Sequence, residues 1–343
     1  MRTKLIIASL FLGSSLMYNH AATVASKYKI VNKIHLEGDG GWDYLYSDDE
    51  SGMLYVSHAT IVQVIDETSG KLVGTISGMK GVHGIAIVTE LNKGYISSGK
   101  DTLVTVFNTK TLKVTTRILA SGIGPDAIYY DSFSKKVFTC NGKSKNLSVI
   151  DPASDKVIAT IPVDGKPEGF VSDGKGKVYI NFEKESMVCK ISSATFKVEN
   201  VWPLAPGEGP TGLALDNETH RLFSACDNKL MVIVDAESGK VVSTVPIGER
   251  VDGAAFDPEL KYIYTSNGEG TMTVIEEDNK DSFEVVENFQ TQKGAKTIAV
   301  NRKTHHIYMS TANLKGADDD DNPNAKPKIV PGTFVVIDIA TVK

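Results

Sequence analysis

The sequence is poor in the residues on which several protein classes depend. Its 343 residues include 3 cysteines and 2 tryptophans. Cys140, Cys189 and Cys226 stand at spacings that match no metal-binding motif. Because this number is odd and the cysteines are far apart, we predict three free thiols that pack in the interior. After residue 16, no apolar run approaches the roughly 20 residues that a transmembrane helix needs.

An excess of positive charge is also absent. The chain has 37 Lys and Arg against 42 Asp and Glu, which gives a formal net charge of -5. A protein with this net charge has no excess of basic side chains to neutralise a phosphate backbone, so we expect no nucleic-acid partner. The patterns G-x-S-x-G, H-E-x-x-H and C-x-x-C are missing as well. Nothing in the sequence therefore indicates the nucleophile, zinc or redox chemistry that those motifs carry.

The amino terminus has the pattern of an export signal. Two basic residues, Arg2 and Lys4, are followed by a largely apolar stretch over residues 5–16 and then by small residues. We predict that residues 1–25 are a signal peptide and that residues 26–343 form one domain. The mature protein is expected in a periplasm or outside the cell, without a membrane span.

The remainder of the chain repeats a unit of about 42 residues seven times. Seven segment starts, 40 to 44 residues apart, each lead into a short apolar strand, and an aromatic residue follows eleven or twelve positions later. The starts are Asp43, His83, Asp126, Glu168, Thr211, Asp252 and Lys296. The aromatic residues are Tyr55, Tyr95, Phe138, Tyr179, Phe223, Tyr264 and Tyr308.

Each unit contains four short apolar runs separated by turn residues, which is typical of a propeller blade. The sequence therefore predicts an all-β, seven-bladed β-propeller with four-stranded blades, in which the aromatic residues fill the space between neighbouring blades. The last unit lacks a fourth strand, and residues 28–36 resemble one. We predict that this N-terminal strand completes the last blade and that the protein is a monomer. Residues 312–331 are an insertion in the last unit.

Two of the repeats carry a family resemblance. Tyr264-Thr265-Ser266-Asn267 and Phe138-Thr139-Cys140-Asn141 resemble the YVTN repeats of the YncE-like family of bacterial exported β-propellers. The resemblance covers essentially the whole mature chain and implies the fold and export. Such propellers are variously regarded as ligand-binding, nucleic-acid-binding or surface proteins, and related propellers include lactonases and lyases. The fold therefore does not fix the function.

The candidate site is the mouth of the central channel, where the innermost strand of every blade begins. The seven segment starts should form a ring there, with four acids and one lysine. We expect the ends of the second strands to form a second ring of His58, Ser98, Asn141, Phe182, Cys226, Asn267 and Thr311. The predicted ligand-binding residues are Trp42, Asp43, His58, His83, Asp126, Asn141, Glu168, Glu183, Thr211, Asp252, Asn267 and Lys296.

The order of the ring suggests roles for its members. His83 stands between Asp43 and Asp126, which favours the imidazolium form and makes His83 a candidate to donate or shuttle a proton. Asp126 and Glu168 are neighbours without a basic ring member between them. They are the candidate pair for a shared proton or for a divalent cation such as Ca²⁺ or Mg²⁺. Lys296 is expected to be an ion-paired organiser.

Three functions fit these features. The first is an exported binding protein that takes a small polar or cationic ligand or a metal ion at the acidic mouth. The alternative is a metal-assisted hydrolase, lactonase or lyase, with Asp126 or Glu168 as base and His83 as acid. A second alternative is a protein-interaction platform. Within the insertion, the acidic run over residues 318–321 is either a solvated loop or a mobile lid over the mouth.

Overall fold

Short antiparallel strands account for nearly all the regular structure of the protein. The computed structural model describes residues 25–316 and 328–342, and the predicted signal peptide lies almost wholly outside them. One 3₁₀ helix, Thr89–Leu91, interrupts the strands. Within the described part of the chain, no helix is long and apolar enough to cross a membrane.

Residues 25–316 and 328–342 contain thirty strands, which are named here in chain order. They are β1 (Tyr28–His35), β2 (Trp42–Asp48), β3 (Met53–His58), β4 (Ile61–Asp66), β5 (Lys71–Ile76), β6 (Val82–Val88), β7 (Lys93–Ser98), β8 (Leu103–Asn108), β9 (Val114–Leu119), β10 (Pro125–Asp131), β11 (Lys136–Asn141), β12 (Asn146–Asp151), β13 (Lys156–Pro162), β14 (Pro167–Ser172), β15 (Lys177–Phe182), β16 (Met187–Ser192), β17 (Lys197–Pro203), β18 (Pro210–Asp216), β19 (Arg221–Cys226), β20 (Leu230–Asp235), β21 (Val241–Pro246), β22 (Val251–Asp257), β23 (Tyr262–Asn267), β24 (Thr271–Asn279), β25 (Ser282–Gln290), β26 (Lys296–Val300), β27 (Ile307–Thr311), β28 (Leu314–Lys315), β29 (Lys328–Ile329) and β30 (Val335–Thr341).

Seven four-stranded antiparallel sheets form the blades of a β-propeller. Blades 1 to 6 each take four consecutive strands, from β2–β5 to β22–β25. The predicted fold class is therefore confirmed.

Glycine near the start of several innermost strands lets neighbouring blades approach closely at the axis. A Cβ on Gly169 would lie 2.3 Å from the Thr211 carbonyl oxygen, and one on Gly212 would lie 2.4 Å from the Ala254 nitrogen.

The last blade is completed by the N-terminal strand, as predicted. Its strand order is β26, β27, β30 and β1, with β1 outermost and antiparallel to β30. Tyr28 of β1 is buried, and its ring meets Tyr264 edge to face at a centroid distance of 6.1 Å. The first and last parts of the chain are thus joined in one sheet, and β1 covers the edge of β30 that would otherwise be unpaired.

The hydrophobic core is divided into seven clusters, one at each seam between neighbouring blades. Each cluster contains the predicted aromatic residue from the second strand of one blade, packed against the next blade. All seven are at most 1% exposed: Tyr55, Tyr95, Phe138, Tyr179, Phe223, Tyr264 and Tyr308. Their predicted role in filling the spaces between blades is confirmed.

The three cysteines are free and buried, as predicted. Burial raises the pKa of Cys140, Cys189 and Cys226, which keeps all three thiols protonated.

In the predicted insertion over residues 312–331, the described ends pair as a small antiparallel sheet of β28 and β29. The acidic run over residues 318–321 lies outside the described residues.

Candidate ligand site at the channel mouth

An irregularity in the inner strands directs the ring side chains. In every blade the pairing of the first and second strands shifts register within three residues of the start of the inner strand. Bulges of this kind bend a strand and redirect a side chain. Backbone groups left unpaired there find side-chain partners: Asp43 N–H donates to Ser57 Oγ at 3.0 Å, and Gly84 N–H donates to Ser97 Oγ at 2.8 Å.

Below the ring, the inner strands enclose a central channel of about 270 Å³. Its lining includes Thr211 and Asp252 near the mouth and Phe170 and Phe256 further down. The walls are mostly apolar side chains and backbone. Asp252, at the mouth, is the one charged residue among the described residues that line this cavity.

On one side of the mouth, Asp43, His83 and Asp126 converge from three neighbouring blades. The His83 Nδ1 atom lies 2.5 Å from Asp43 Oδ2 and 3.5 Å from Asp126 Oδ1. One ligand atom from each of the three residues lies within 4.8 Å of the others. Among the described residues, no lysine or arginine lies within ion-pair distance of Asp43 or Asp126. We call this group the triad side of the mouth.

The protonation of the triad side follows from burial and charge. Burial lowers the pKa of His83, but the hydrogen bond to Asp43 and the charges of Asp126, Asp43 and Glu168 outweigh it, so the net pKa is raised. Burial also raises the pKa of Asp126, which the charge of His83 opposes and that of Asp43 reinforces. His83 is thus held as a donor between two carboxyl groups.

On the other side of the mouth, lysines neutralise the acids. Lys296 Nζ lies 3.4 Å from Asp252 Oδ2, so this lysine is ion-paired, and its role as an organiser of the ring stays a prediction. Lys166 Nζ lies 3.2 Å from Glu168 Oε2 and also forms a short contact with Glu183. Burial raises the pKa of Glu168, with the charge of Asp126 adding to the effect and Lys166 opposing it. We call this the lysine side.

Lys166 is a site residue that the sequence reasoning missed. The predicted pair of Asp126 and Glu168 interacts through charge, since Asp126 raises the pKa of Glu168, but Asp126 also contacts His83 and Glu168 also contacts Lys166. Lys166 precedes the ring residue Glu168 by two positions, and residues i and i+2 of extended chain point to the same side. That spacing is the signal that could have found it.

Tyr44 is the second residue that the sequence reasoning missed. It comes from blade 1 but packs against the cluster shared by blades 3 and 4, so its side chain crosses the channel below the ring. Burial raises the pKa of its phenol, and the charges of Glu168, Asp126 and Asp43 raise it further. The signal was available: the position after the ring residue is glycine in blades 2, 4, 5 and 6, and tyrosine in blade 1.

The predicted second ring does not face the channel, which corrects that expectation. Its seven members, His58, Ser98, Asn141, Phe182, Cys226, Asn267 and Thr311, are at most 1% exposed. Second strands have a neighbouring blade against each face, so their ends are covered by packing. Asn141 bonds to Asn146 and Ser148 of its own blade, and Asn267 bonds to Thr271 and Thr273.

Of the predicted residues, His58 and Trp42 lie in the core, and Thr211 lies at the channel. His58 stacks on Phe334 with a centroid distance of 4.0 Å, and burial lowers its pKa, which favours a neutral ring. Trp42 is also buried against Phe334. Thr211 lines the channel and donates its hydroxyl to the Val251 carbonyl oxygen at 3.2 Å.

Comparisons with known proteins agree with this architecture. The chain is 25% identical over 193 residues to Antigen Lp49 of Leptospira interrogans, which covers 52% of this chain and 41% of Lp49. It is 22% identical over 223 residues to the uncharacterized protein YncE of Salmonella typhimurium, which covers 64% of this chain and 51% of YncE. The chain is a distant homologue of YncE and Lp49. It spans about half the length of these curated relatives.

The YncE-like resemblance expected from the repeats is thereby confirmed. No family model matches the chain. Among solved structures, hydrazine synthase of Kuenenia stuttgartiensis aligns with a TM-score of 0.72 at 15% identity, covering 86% of this chain and 97% of that one. This likeness shows a shared fold. The residues of the mouth must therefore be interpreted from their own chemistry.

Proposed function

We propose that this YncE-like propeller is exported and that it binds a metal ion or a small cationic ligand at the acidic channel mouth. The observation that carries the proposal is the convergence of Asp43, His83 and Asp126, with ligand atoms within 4.8 Å of one another. Two carboxylates held this close repel each other unless a proton or a cation lies between them. A bound cation would replace the proton that His83 now supplies.

The surroundings of the triad side support the same proposal. Glu168 and Asp252 complete a ring of four carboxyl groups, and the two lysines that face the ring are already paired with them. The carboxyl groups of Asp43 and Asp126 remain for an incoming ligand. The pattern of Arg2, Lys4 and the apolar stretch over residues 5–16 supports export.

Thermal unfolding with and without cations tests the proposal. A ligand that binds the folded protein stabilises it by mass action, by about 2.7 kcal/mol at a concentration 100 times its dissociation constant. For a protein of this size, that corresponds to a rise of roughly 5 °C in Tm. Divalent cations and polyamines should each be titrated against protein stripped with a chelator.

A double variant identifies the site. In Asp126→Asn with Glu168→Gln, the cation-induced rise in Tm should shrink, while the ligand-free protein becomes no less stable because repulsion is relieved. The matched control is Asp278→Asn with Glu284→Gln, which removes two exposed acids from blade 6. If the mouth variant loses stability without ligand and keeps the full response to cations, the ring is structural and the proposal is wrong.

A further inference from the structure

We infer that the triad side of the mouth is a site for a divalent transition metal such as Zn²⁺, with Asp43, His83 and Asp126 as its protein ligands. This inference rests on the proposed function and narrows it from cations in general to one class of metal. It also moves the predicted metal ligands from Asp126 and Glu168 to the three residues that the fold brings together.

The donor atoms favour a transition metal over Ca²⁺ or Mg²⁺. Ca²⁺ and Mg²⁺ take oxygen ligands, whereas an imidazole nitrogen together with carboxylate oxygens suits Zn²⁺ and its first-row neighbours. Here the nitrogen is central, since His83 Nδ1 contacts both Asp43 and Asp126. A hard cation would have to displace His83 from between the two acids, whereas Zn²⁺ would use it.

The spacing of the donors fits a small coordination sphere after one adjustment. Zinc bonds of roughly 2.0–2.2 Å place the donor atoms of a tetrahedral site about 3.4 Å apart. The 3.5 Å between His83 Nδ1 and Asp126 Oδ1 already matches this separation. The 2.5 Å between His83 Nδ1 and Asp43 Oδ2 is a hydrogen-bond distance. It would lengthen by about 1 Å as the metal replaces the proton on Nδ1 and that proton leaves to water.

The absence of a side chain at Gly99 leaves space for the His83 imidazole. A Cβ at residue 99 would lie 2.6 Å from His83 Nε2, so the ring can occupy its position because residue 99 is glycine. The lysine side does not compete for the three ligands, since Lys166 and Lys296 pair with Glu168 and Asp252. Three protein ligands at an open mouth leave a coordination position for water or for a ligand, which is the pattern of reactive rather than purely structural zinc sites.

The deciding experiment compares metals and variants on the full chain after chelator treatment and removal of any affinity tag. Isothermal titration with Zn²⁺, Ca²⁺ and Mg²⁺ should give one Zn²⁺ site and a clear preference for Zn²⁺. His83→Asn keeps an oxygen donor at this position but removes the nitrogen, so it should weaken Zn²⁺ binding by roughly 100-fold or more while leaving the weaker Ca²⁺ response in place. Asp126→Asn should weaken Zn²⁺ binding as well.

His220→Asn is the matched control, because His220 is an exposed histidine 3.5 Å from Glu237 on a different loop. It should bind Zn²⁺ like the unmodified chain. Equal Zn²⁺ affinity in His83→Asn and His220→Asn would overturn the inference, and so would a preference for Ca²⁺ that His83→Asn leaves unchanged. In the latter case the proposed function stands. If no metal ion or polyamine binds at all, the proposed function itself fails.

Discussion

The seams between the blades and the mouth of the channel differ in how strictly they follow the repeat. Every seam holds a buried aromatic residue from the second strand, at most 1% exposed in all seven blades. The seven residues at the mouth are instead four acids, a histidine, a threonine and a lysine. Packing between rotated copies of one blade demands the same shape each time, whereas the mouth faces water and is free to vary. The residues at the mouth that depart from the repeat are therefore the ones that give the mouth its chemical properties.

The same contrast exists within the mouth. On the lysine side, Glu168 and Asp252 each have a lysine within ion-pair distance. On the triad side, Asp43 and Asp126 share His83, a group whose charge depends on protonation. An acid paired with a lysine keeps a cationic partner at neutral pH, while two acids around one imidazole can take up a cation in place of the imidazole proton. The following predictions test these two comparisons.

The largest effect should come from opening the ring. Deleting residues 1–36 removes β1, exposes the edge of β30 and leaves the seam around Tyr264 without Tyr28. We expect a product that aggregates or unfolds at much lower temperature, measured by size-exclusion chromatography and circular dichroism. Deleting residues 1–25 keeps β1 and is the control. A chain without residues 1–36 that is as stable as this control would refute the closure.

The next effect concerns a single seam. Phe138→Ala removes a fully buried ring that packs 5.8 Å from Phe170 of the next blade, and it should cost about 3–5 kcal/mol of unfolding free energy. Phe133→Ala, at a half-exposed position, should cost less than about 0.5 kcal/mol. Urea unfolding measures both. The cation-induced rise in Tm should survive in Phe138→Ala, because seam and mouth have separate roles. Its loss would show that they are coupled.

A smaller loss of stability is expected when a lysine is removed from the lysine side of the mouth. Lys166→Met leaves Glu168 and Glu183 without their shared cation and should destabilise the protein by about 1–2 kcal/mol, since the pair is only partly buried. Added Ca²⁺ should restore part of that loss. The control is Lys145→Met, which breaks the more exposed pair with Glu185. If Ca²⁺ rescues both variants equally, the effect is not specific to the mouth.

The smallest effect is a pH dependence at the seam of blades 5 and 6. Burial raises the pKa of Glu277 to about 7, and the facing carboxylate of Asp216 contributes. Thr219 Oγ1 lies 2.7 Å from Glu277 Oε1 and 3.1 Å from Asp216 Oδ2, and Lys261 pairs with Asp216. Because the pKa is higher in the folded state, protonation of Glu277 stabilises the folded protein. This contribution is complete below the ordinary glutamate pKa of about 4.3 and is lost as pH rises through about 7.

Glu277→Gln should remove this dependence. Relative to the variant, the unmodified protein should lose about 1 kcal/mol of unfolding free energy between pH 6.5 and pH 8, in urea titrations with a chelator present. Glu284→Gln, an exposed change in the neighbouring strand, should follow the unmodified protein at every pH. Parallel curves for Glu277→Gln and the unmodified protein would mean that Glu277 is ionised throughout this range.

Much of the fold could be predicted because it depends on local pattern. The spacing of Tyr55, Tyr95 and the five later aromatic residues reports strand positions, and seven units of similar length predict a closed ring of seven blades. The strand over residues 28–36 could be assigned to the last blade since its composition matches a fourth strand. The ring residues could be placed because in a propeller the start of every inner strand lies at one end of the channel.

The sequence by itself determined the blades, their number, the closure and the identity of the acids that begin the inner strands, since all of these follow from period and position along the chain. The tertiary structure decided which acids meet which partners. Bulges and the turn before each inner strand set the distances, so Lys166 reaches Glu168, His83 joins Asp43 with Asp126, and Tyr44 crosses beneath them. A one-dimensional repeat fixes the order of groups around a ring, but the distances between side chains depend on packing in three dimensions.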